Sequence, residues 1–332
     1  MNNDKVTLMF NYLQKGKQCH ISKNFQEAVV NYETGLRYGL EIHDSMADGK
    51  TKNDLFSQLK FYTNCLERAR GHHFEDVIGL EDFKKLFNEN IFSVVRNRSL
   101  AEEYGVSSTC CILLVGPPGT GKSYSIRAAI NEFPEAELIE EKTSNLIDSH
   151  IGGTGKNINN LFDRAYEILR QRKDASVVIF IDEIDGIARS RNLDDKGAKE
   201  AMGALLVNLT KMDEENANII LICATNTPDQ LDKAFMSRFG NNIIEIPLPD
   251  KEGRIRILKK NLKKYSPDID WDTVGKITEG LNGRDLKFIA NDANKEAFNK
   301  AISGDKLPVT EGILFDIIKL AIERRRTRHN YL

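Results

Sequence analysis

The sequence predicts a parallel α/β sheet with helices on both faces, preceded by a small helical bundle and followed by a helical lid. Three observations carry that expectation. The runs Cys111-Ile112-Leu113-Leu114-Val115, Val177-Val178-Ile179-Phe180-Ile181 and Ile219-Ile220-Leu221-Ile222-Cys223-Ala224 are continuously apolar, as strands buried on both faces are. Between residues 74 and 248 such runs alternate with helical patterns, the signature of βα units. Residues 5–70 and 251–332 instead carry helical spacings.

Taken in order, residues 5–70 read as three amphipathic helices. Val6, Met9, Phe10 and Leu13 repeat at helical spacing, then Phe25, Ala28, Val29, Tyr32 and Leu36, then Leu55, Leu59, Tyr62 and Leu66. Breaks fall at Lys23-Asn24 and across 44–53, so residues 1–70 are expected to form an antiparallel three-helix bundle. Residues 71–73 read as a link to a larger α/β domain, 74–248. The string Pro247-Leu248-Pro249-Asp250 marks its end. Residues 249–332 read as a lid with helices over 254–264, 271–277, 283–298 and 309–325.

Composition is ordinary for a globular chain: 332 residues, 40% hydrophobic and 29% charged, with a formal net charge of −2. That balance gives no argument for nucleic acid or a membrane surface. The start, Met1-Asn2-Asn3-Asp4-Lys5, is polar and predicts no signal peptide. No apolar run approaches the ~18 residues that span a bilayer. Cys19, Cys65, Cys110, Cys111 and Cys223 lack metal-ligand spacing and suit a reducing cytoplasm. The basic run 324–328 reads as charge complementing the end of the last helix.

The chemistry sits where the apolar runs end. Gly116-Pro117-Pro118-Gly119-Thr120-Gly121-Lys122-Ser123 follows the first run and precedes a helix-forming stretch. Its glycines let backbone N–H groups approach phosphate oxygens, and the helix adds its positive end. Lys122 would reach the β- and γ-phosphates, and the Ser123 hydroxyl would ligate Mg²⁺. The second run ends in Asp182-Glu183. Two acids at a buried strand end need partners: Asp182 fits the Mg²⁺ shell, and Glu183 fits the base that activates a water. Asn226, ending the third run, orients the same water or simply makes the turn before Thr227-Pro228.

These residues resemble an AAA ATPase module over about residues 74–325. Phe74-Glu75-Asp76-Val77-Ile78-Gly79-Leu80 resembles the opening segment, which in that family lies against the adenine. Ile181-Asp182-Glu183-Ile184-Asp185 with Arg189-Ser190-Arg191 resembles its second nucleotide motif. Ala224-Thr225-Asn226, Leu231-Asp232-Lys233-Ala234 and Arg238-Phe239 resemble its second region of homology, and Gly283-Arg284-Asp285-Leu286 the start of its lid helix. A single module behind a helical bundle is most similar to the group of katanin, spastin and the ESCRT-disassembling ATPase.

The resemblance implies a P-loop AAA fold that takes ATP and Mg²⁺. It assigns nucleotide contacts to Asp76, Val77, Gly79, Pro118, Gly119, Thr120, Gly121, Lys122, Ser123, Tyr124, Asp182 and Arg284, with Mg²⁺ held at Ser123 and Asp182 largely through water. It implies a homo-oligomeric ring, usually a hexamer, that pulls on a protein substrate. Arg238 would reach the neighbouring subunit's γ-phosphate, and His150 and Ile151 would lie on the pore loop. Residues 5–70 resemble an MIT domain, which docks a helical peptide motif.

Three departures stand out. Ser237 replaces the first of two arginines usual before the phenylalanine, and His150 stands where the pore loop should carry an aromatic residue. The connection 299–308 is too short for the β-insert of the ESCRT-disassembling enzyme. The leading reading is an ATP-driven protein remodeller recruited by its bundle. Alternatives are a nucleotide-gated scaffold that hydrolyses little and a DNA-associated AAA+ loader; net charge gives the latter no support.

Overall fold

The computed structural model describes residues 3–107, 110–148, 153–172, 175–188, 196–303 and 308–329. Helices α1 (Asn3–Ile21), α2 (Phe25–Ser45) and α3 (Lys50–Arg70) pack around Met9, Leu13, Tyr32, Leu36, Leu59 and Leu66. Burying each such side chain is worth about 1.5–3 kcal/mol. The α1–α2 contact is tight because glycines face large side chains across it. A Cβ on Gly16 would stand 2.7 Å from the Tyr32 ring, and one on Gly35 equally close to Leu13. The turn between them passes through Lys23 at φ 61° and Asn24, which caps α2 through the Glu27 N–H.

Five strands among the described residues form one parallel sheet: β1 (Cys110–Val115), β2 (Ala136–Lys142), β3 (Ser176–Asp182), β4 (Ile219–Thr225) and β5 (Ile243–Glu245), in the order β2-β3-β4-β1-β5. Alternate residues of β1 serve two cores, as the pleat requires. Cys111 and Leu113 pack with Phe162 and Leu205 from helices Gly153–Gln171 and Lys196–Glu214. Ile112 and Leu114 pack with Ile126, Ile130 and Phe133, beside a cluster of Phe74, Phe83, Phe87 and Phe92. Burial pushes the Cys111 thiol up to about 12. Because Val115 pairs with Thr225 and Ile181 with Cys223, the carboxyl ends of β1, β3 and β4 share one edge.

The lid helices are Lys251–Asn261, Trp271–Ile277, Gly283–Ile302 and Glu311–His329, around Leu258, Val274, Leu286, Ile289 and Leu314. Two starts differ from the sequence expectation. The first helix begins at Lys251 rather than 254, because Asp250 accepts the Gly253 N–H at 2.7 Å and caps it. The last begins at Glu311 rather than 309, because Val309 pairs with Tyr265 in a short parallel bridge. Among the described residues no helix is long and apolar enough to cross a membrane.

The bundle lies directly on the α/β domain, at the carboxyl end of helix Lys122–Asn131. His20 Nε2 donates to the Asn131 carbonyl at 2.6 Å, and Arg68 donates to the carbonyls of Phe133 and Ala136. The connecting residues join in. His73 is buried, its ring stacked on Phe25 with centroids 3.4 Å apart.

Candidate nucleotide site

Helix Lys122–Asn131 starts at the phosphate loop, and its first N–H groups have no partner within the helix. Gly119 at φ 79° and Gly121 at φ 103° hold the loop in the left-handed region that side chains disfavour. A Cβ on Gly121 would meet nothing within 4 Å, so the loop leaves an open cradle at the helix start.

Lys122 is buried beneath that cradle. Its Nζ donates to the carbonyls of Gly116 at 2.7 Å and Pro117 at 3.0 Å, and to Asn226 Oδ1 at 2.6 Å. Burial pushes the Lys122 ammonium below the usual lysine range; Asp182 and Asp185 oppose that push, and Arg284 adds to it. The bond to Asn226 joins the phosphate loop to the end of β4. The bond from Ser123 Oγ to Asp182 Oδ2, 2.6 Å, joins it to the end of β3. Asp182 is steadied in turn by Thr143, whose hydroxyl donates to its carbonyl at 3.1 Å.

Glu183 is exposed and sits at φ 58°, a conformation that costs a non-glycine residue about 1–2 kcal/mol. The turn is locked by two bonds: the Glu183 N–H to Asp182 Oδ1 at 3.0 Å, and the Ile184 N–H to the Ala224 carbonyl at 3.0 Å.

The other residues to which the resemblance assigns nucleotide contacts gather nearby. Asp76 closes a short helical turn, Phe74–Asp76. Burial by itself would raise the Asp76 carboxyl, but hydrogen bonds from Lys260 and the His73 N–H outweigh it and hold it low. Lys260 also donates to the Asp76 carbonyl at 3.0 Å, tying lid to opening segment. Val77 is buried and Gly79 turns the chain at φ 72°. Tyr124 lies with its ring 5.2 Å from that of His72, and burial pushes its hydroxyl up to about 12. The Thr120 hydroxyl closes the loop onto the Pro117 carbonyl at 2.9 Å.

The lid reaches the loop itself. Asn282 Nδ2 donates to the Pro118 carbonyl at 3.1 Å, and the Arg284 N–H to the Gly119 carbonyl at 3.2 Å. The Arg284 side chain is exposed. Sequence reasoning missed Asn282, although its signal was available: Asn282 and Asp285 form a capping box three residues apart. It also missed Lys260, for which one basic residue among many gave no signal.

Arg238 is not brought to its own phosphate loop. Its guanidinium donates to Thr210 Oγ1 at 3.0 Å and lies 3.8 Å from Asp213, both on helix Lys196–Glu214. His150, Ile151 and the segment 189–191 lie outside the described residues.

The donor set fits ATP with Mg²⁺. The cradle and Lys122 suit phosphates, while the Ser123 hydroxyl and Asp182 carboxylate offer paired hard oxygens of the kind Mg²⁺ takes. When bound, the metal would neutralise phosphate charge and polarise the bond to be broken. Among the described residues no cluster of three or more His, Cys, Asp or Glu forms a protein-only metal site.

Comparison with known proteins agrees. Residues 112–248 match the family of ATPases associated with various cellular activities, AAA. A proteasome-activating nucleotidase of Aeropyrum pernix is 33% identical over 261 residues, 76% of this chain and 61% of that protein. One from Pyrococcus abyssi is 36% identical over 234 residues, 68% of this chain and 57% of that protein. The chain thus spans 61% and 57% of the length of these curated relatives. They are proteasome-activating nucleotidases, whereas the sequence resemblance pointed to the katanin and spastin group. That grouping rested on a single module behind a helical bundle, whereas the nucleotide-site motifs, which AAA modules share across groups, identified only the module. Residues 112–248 therefore carry an AAA ATPase domain, of a family whose enzymes use ATP and Mg²⁺.

Proposed function

We propose that the chain is the subunit of a homo-oligomeric, hexameric ring that hydrolyses ATP in the cytoplasm to remodel a protein substrate. The observation that supports it is the joining of three strand ends by Lys122–Asn226 and Ser123–Asp182. Phosphate-binding, metal-holding and water-orienting groups then share one sheet edge. Glu183 takes the proton of the attacking water, and Asn226 orients that water. Asp76, Val77 and Gly79 bound the base, Pro118 to Tyr124 the phosphates, and Arg284 reads the γ-phosphate from the lid. Arg238, held by Thr210 and Asp213 on its own subunit, would serve the neighbouring subunit's site. Relatives whose name describes proteasome activation support protein handling as the class of work. His150 and Ile151 would contact the substrate in the pore. The bundle, read as MIT-like, would dock a helical peptide of a partner.

Complementation tests the shared site. Arg238→Ala and Glu183→Gln proteins should each bind ATP and lose turnover, and mixing them should restore part of it. In the mixed ring some interfaces pair an intact Glu183 with an intact Arg238. Mixtures as inactive as the separate variants would contradict the proposal.

A further inference from the structure

We infer that Lys23 and Glu132 are positioning residues of the nucleotide site, and that through them the bundle sets ATP affinity rather than acting only as a tethered recruiter. Glu132 caps the carboxyl end of helix Lys122–Asn131, the helix whose other end is the phosphate loop. Its carboxylate is almost fully buried. Oε1 accepts the Phe74 N–H at 2.7 Å, and Oε2 lies 2.8 Å from Lys23 Nζ as an ion pair without hydrogen-bond alignment. Arg96, the neighbouring cation, bonds the Glu132 backbone carbonyl at 3.3 Å instead.

The buried acid thus links three segments that are far apart in sequence. A buried carboxylate that loses its cation is costly, and the side chain moves to relieve it. That movement disturbs its bond to Phe74. Phe74 opens the turn that carries Asp76, and the preceding His72 lies against Tyr124, next to Ser123. The Asn131 side chain adds a second tie, donating to the His72 carbonyl at 2.9 Å. Movement at the bundle turn is therefore passed to the opening segment, while the helix itself is held at its far end.

An independent observation points the same way. Lys23 holds a left-handed backbone, φ 61°, although it is not glycine. Such strain persists where surrounding structure imposes it. Here its N–H is held by the His20 carbonyl at 3.0 Å, while its ammonium also lies 5.9 Å from the Phe74 ring centroid. A turn needed only to reverse the chain would not require a lysine there.

This inference rests on nucleotide binding at the phosphate loop and not on ring assembly. Its test is the dissociation constant of a fluorescent ATP analogue, measured on the full chain. Lys23→Met should weaken binding about tenfold, within the usual span of coupling between sites, and Lys23→Arg should restore it. Glu132→Gln added to Lys23→Met should cost little more, because one link is already broken. A folded Lys23→Met protein that binds within twofold of the parent would overturn the inference, whatever its melting temperature. Should Lys23→Met not fold, amide exchange on the unaltered protein decides. ATP analogue should slow exchange across residues 20–26, and unchanged exchange there would overturn the inference. Lys122→Ala is the control: if it still bound the analogue, the nucleotide site itself would be misassigned.

Discussion

The two ends of helix Lys122–Asn131 are built in opposite ways. The amino end receives a phosphate loop contiguous in sequence, with Asp182 and Asn226 brought in by strand register. The carboxyl end receives His20, Lys23, Cys65 and Arg68, scattered over the bundle and bound to carbonyls or to one buried acid. Chemistry on phosphates restricts residue type and spacing, so the first end is written as a motif. Capping a helix end restricts only the presence of a donor, so the second end leaves no pattern.

The comparison can be broken at either end. The largest effect belongs to the amino end: Lys122→Ala should abolish measurable ATP binding, read by analogue fluorescence, because the phosphates lose their buried cation. Glu183→Gln should follow, with turnover down ~10²–10⁴-fold, the usual share of a general base, and with ATP still bound in filter assays.

At the carboxyl end the effects of His20 and Arg68 are on stability and smaller. Burial drops the His20 pKa from the ordinary 6.5 to about 4, with the nearby His73, Arg68 and Arg96 adding to the fall. The unfolded chain therefore takes up a proton before the folded one does. This stability is fully present above pH 6.5 and is lost as pH falls toward 4, by at most about 3 kcal/mol. Melting temperature against pH should show that slope, and His20→Gln should flatten it. Arg68→Met should cost about 1.5–3 kcal/mol, the worth of charge-assisted hydrogen bonds, measured by urea unfolding. If Arg68→Met melted like the parent, the joint would be a loose contact and the contrast between the two ends would fail.

Legibility follows the same division. The parallel sheet was readable because its strands are apolar on both faces, as Ile112 and Leu113 show by packing into opposite cores. Lys122, Ser123, Asp182 and Asn226 stood out in the sequence because they end apolar runs or follow a glycine-rich loop, and the fold brings them into hydrogen-bonded pairs. The clasp of Lys260 on Asp76 was not, since a lysine on a basic helix looks the same whether it meets solvent or a carbonyl. Glu132 was equally silent, because only tertiary packing reveals that this acid is buried. The shared nucleotide motifs resolved the AAA module, while the likeness to katanin and spastin came only from a single module standing behind a helical bundle, an arrangement too general to resolve the group.

The central claim is an ATP-hydrolysing site completed between subunits. It is tested most directly by ATP turnover per subunit, with Mg²⁺, across a wide range of protein concentration. The account predicts a per-subunit rate that climbs steeply with concentration and then levels off as rings form. A rate per subunit that is the same at every concentration, whether appreciable or near zero, would contradict it.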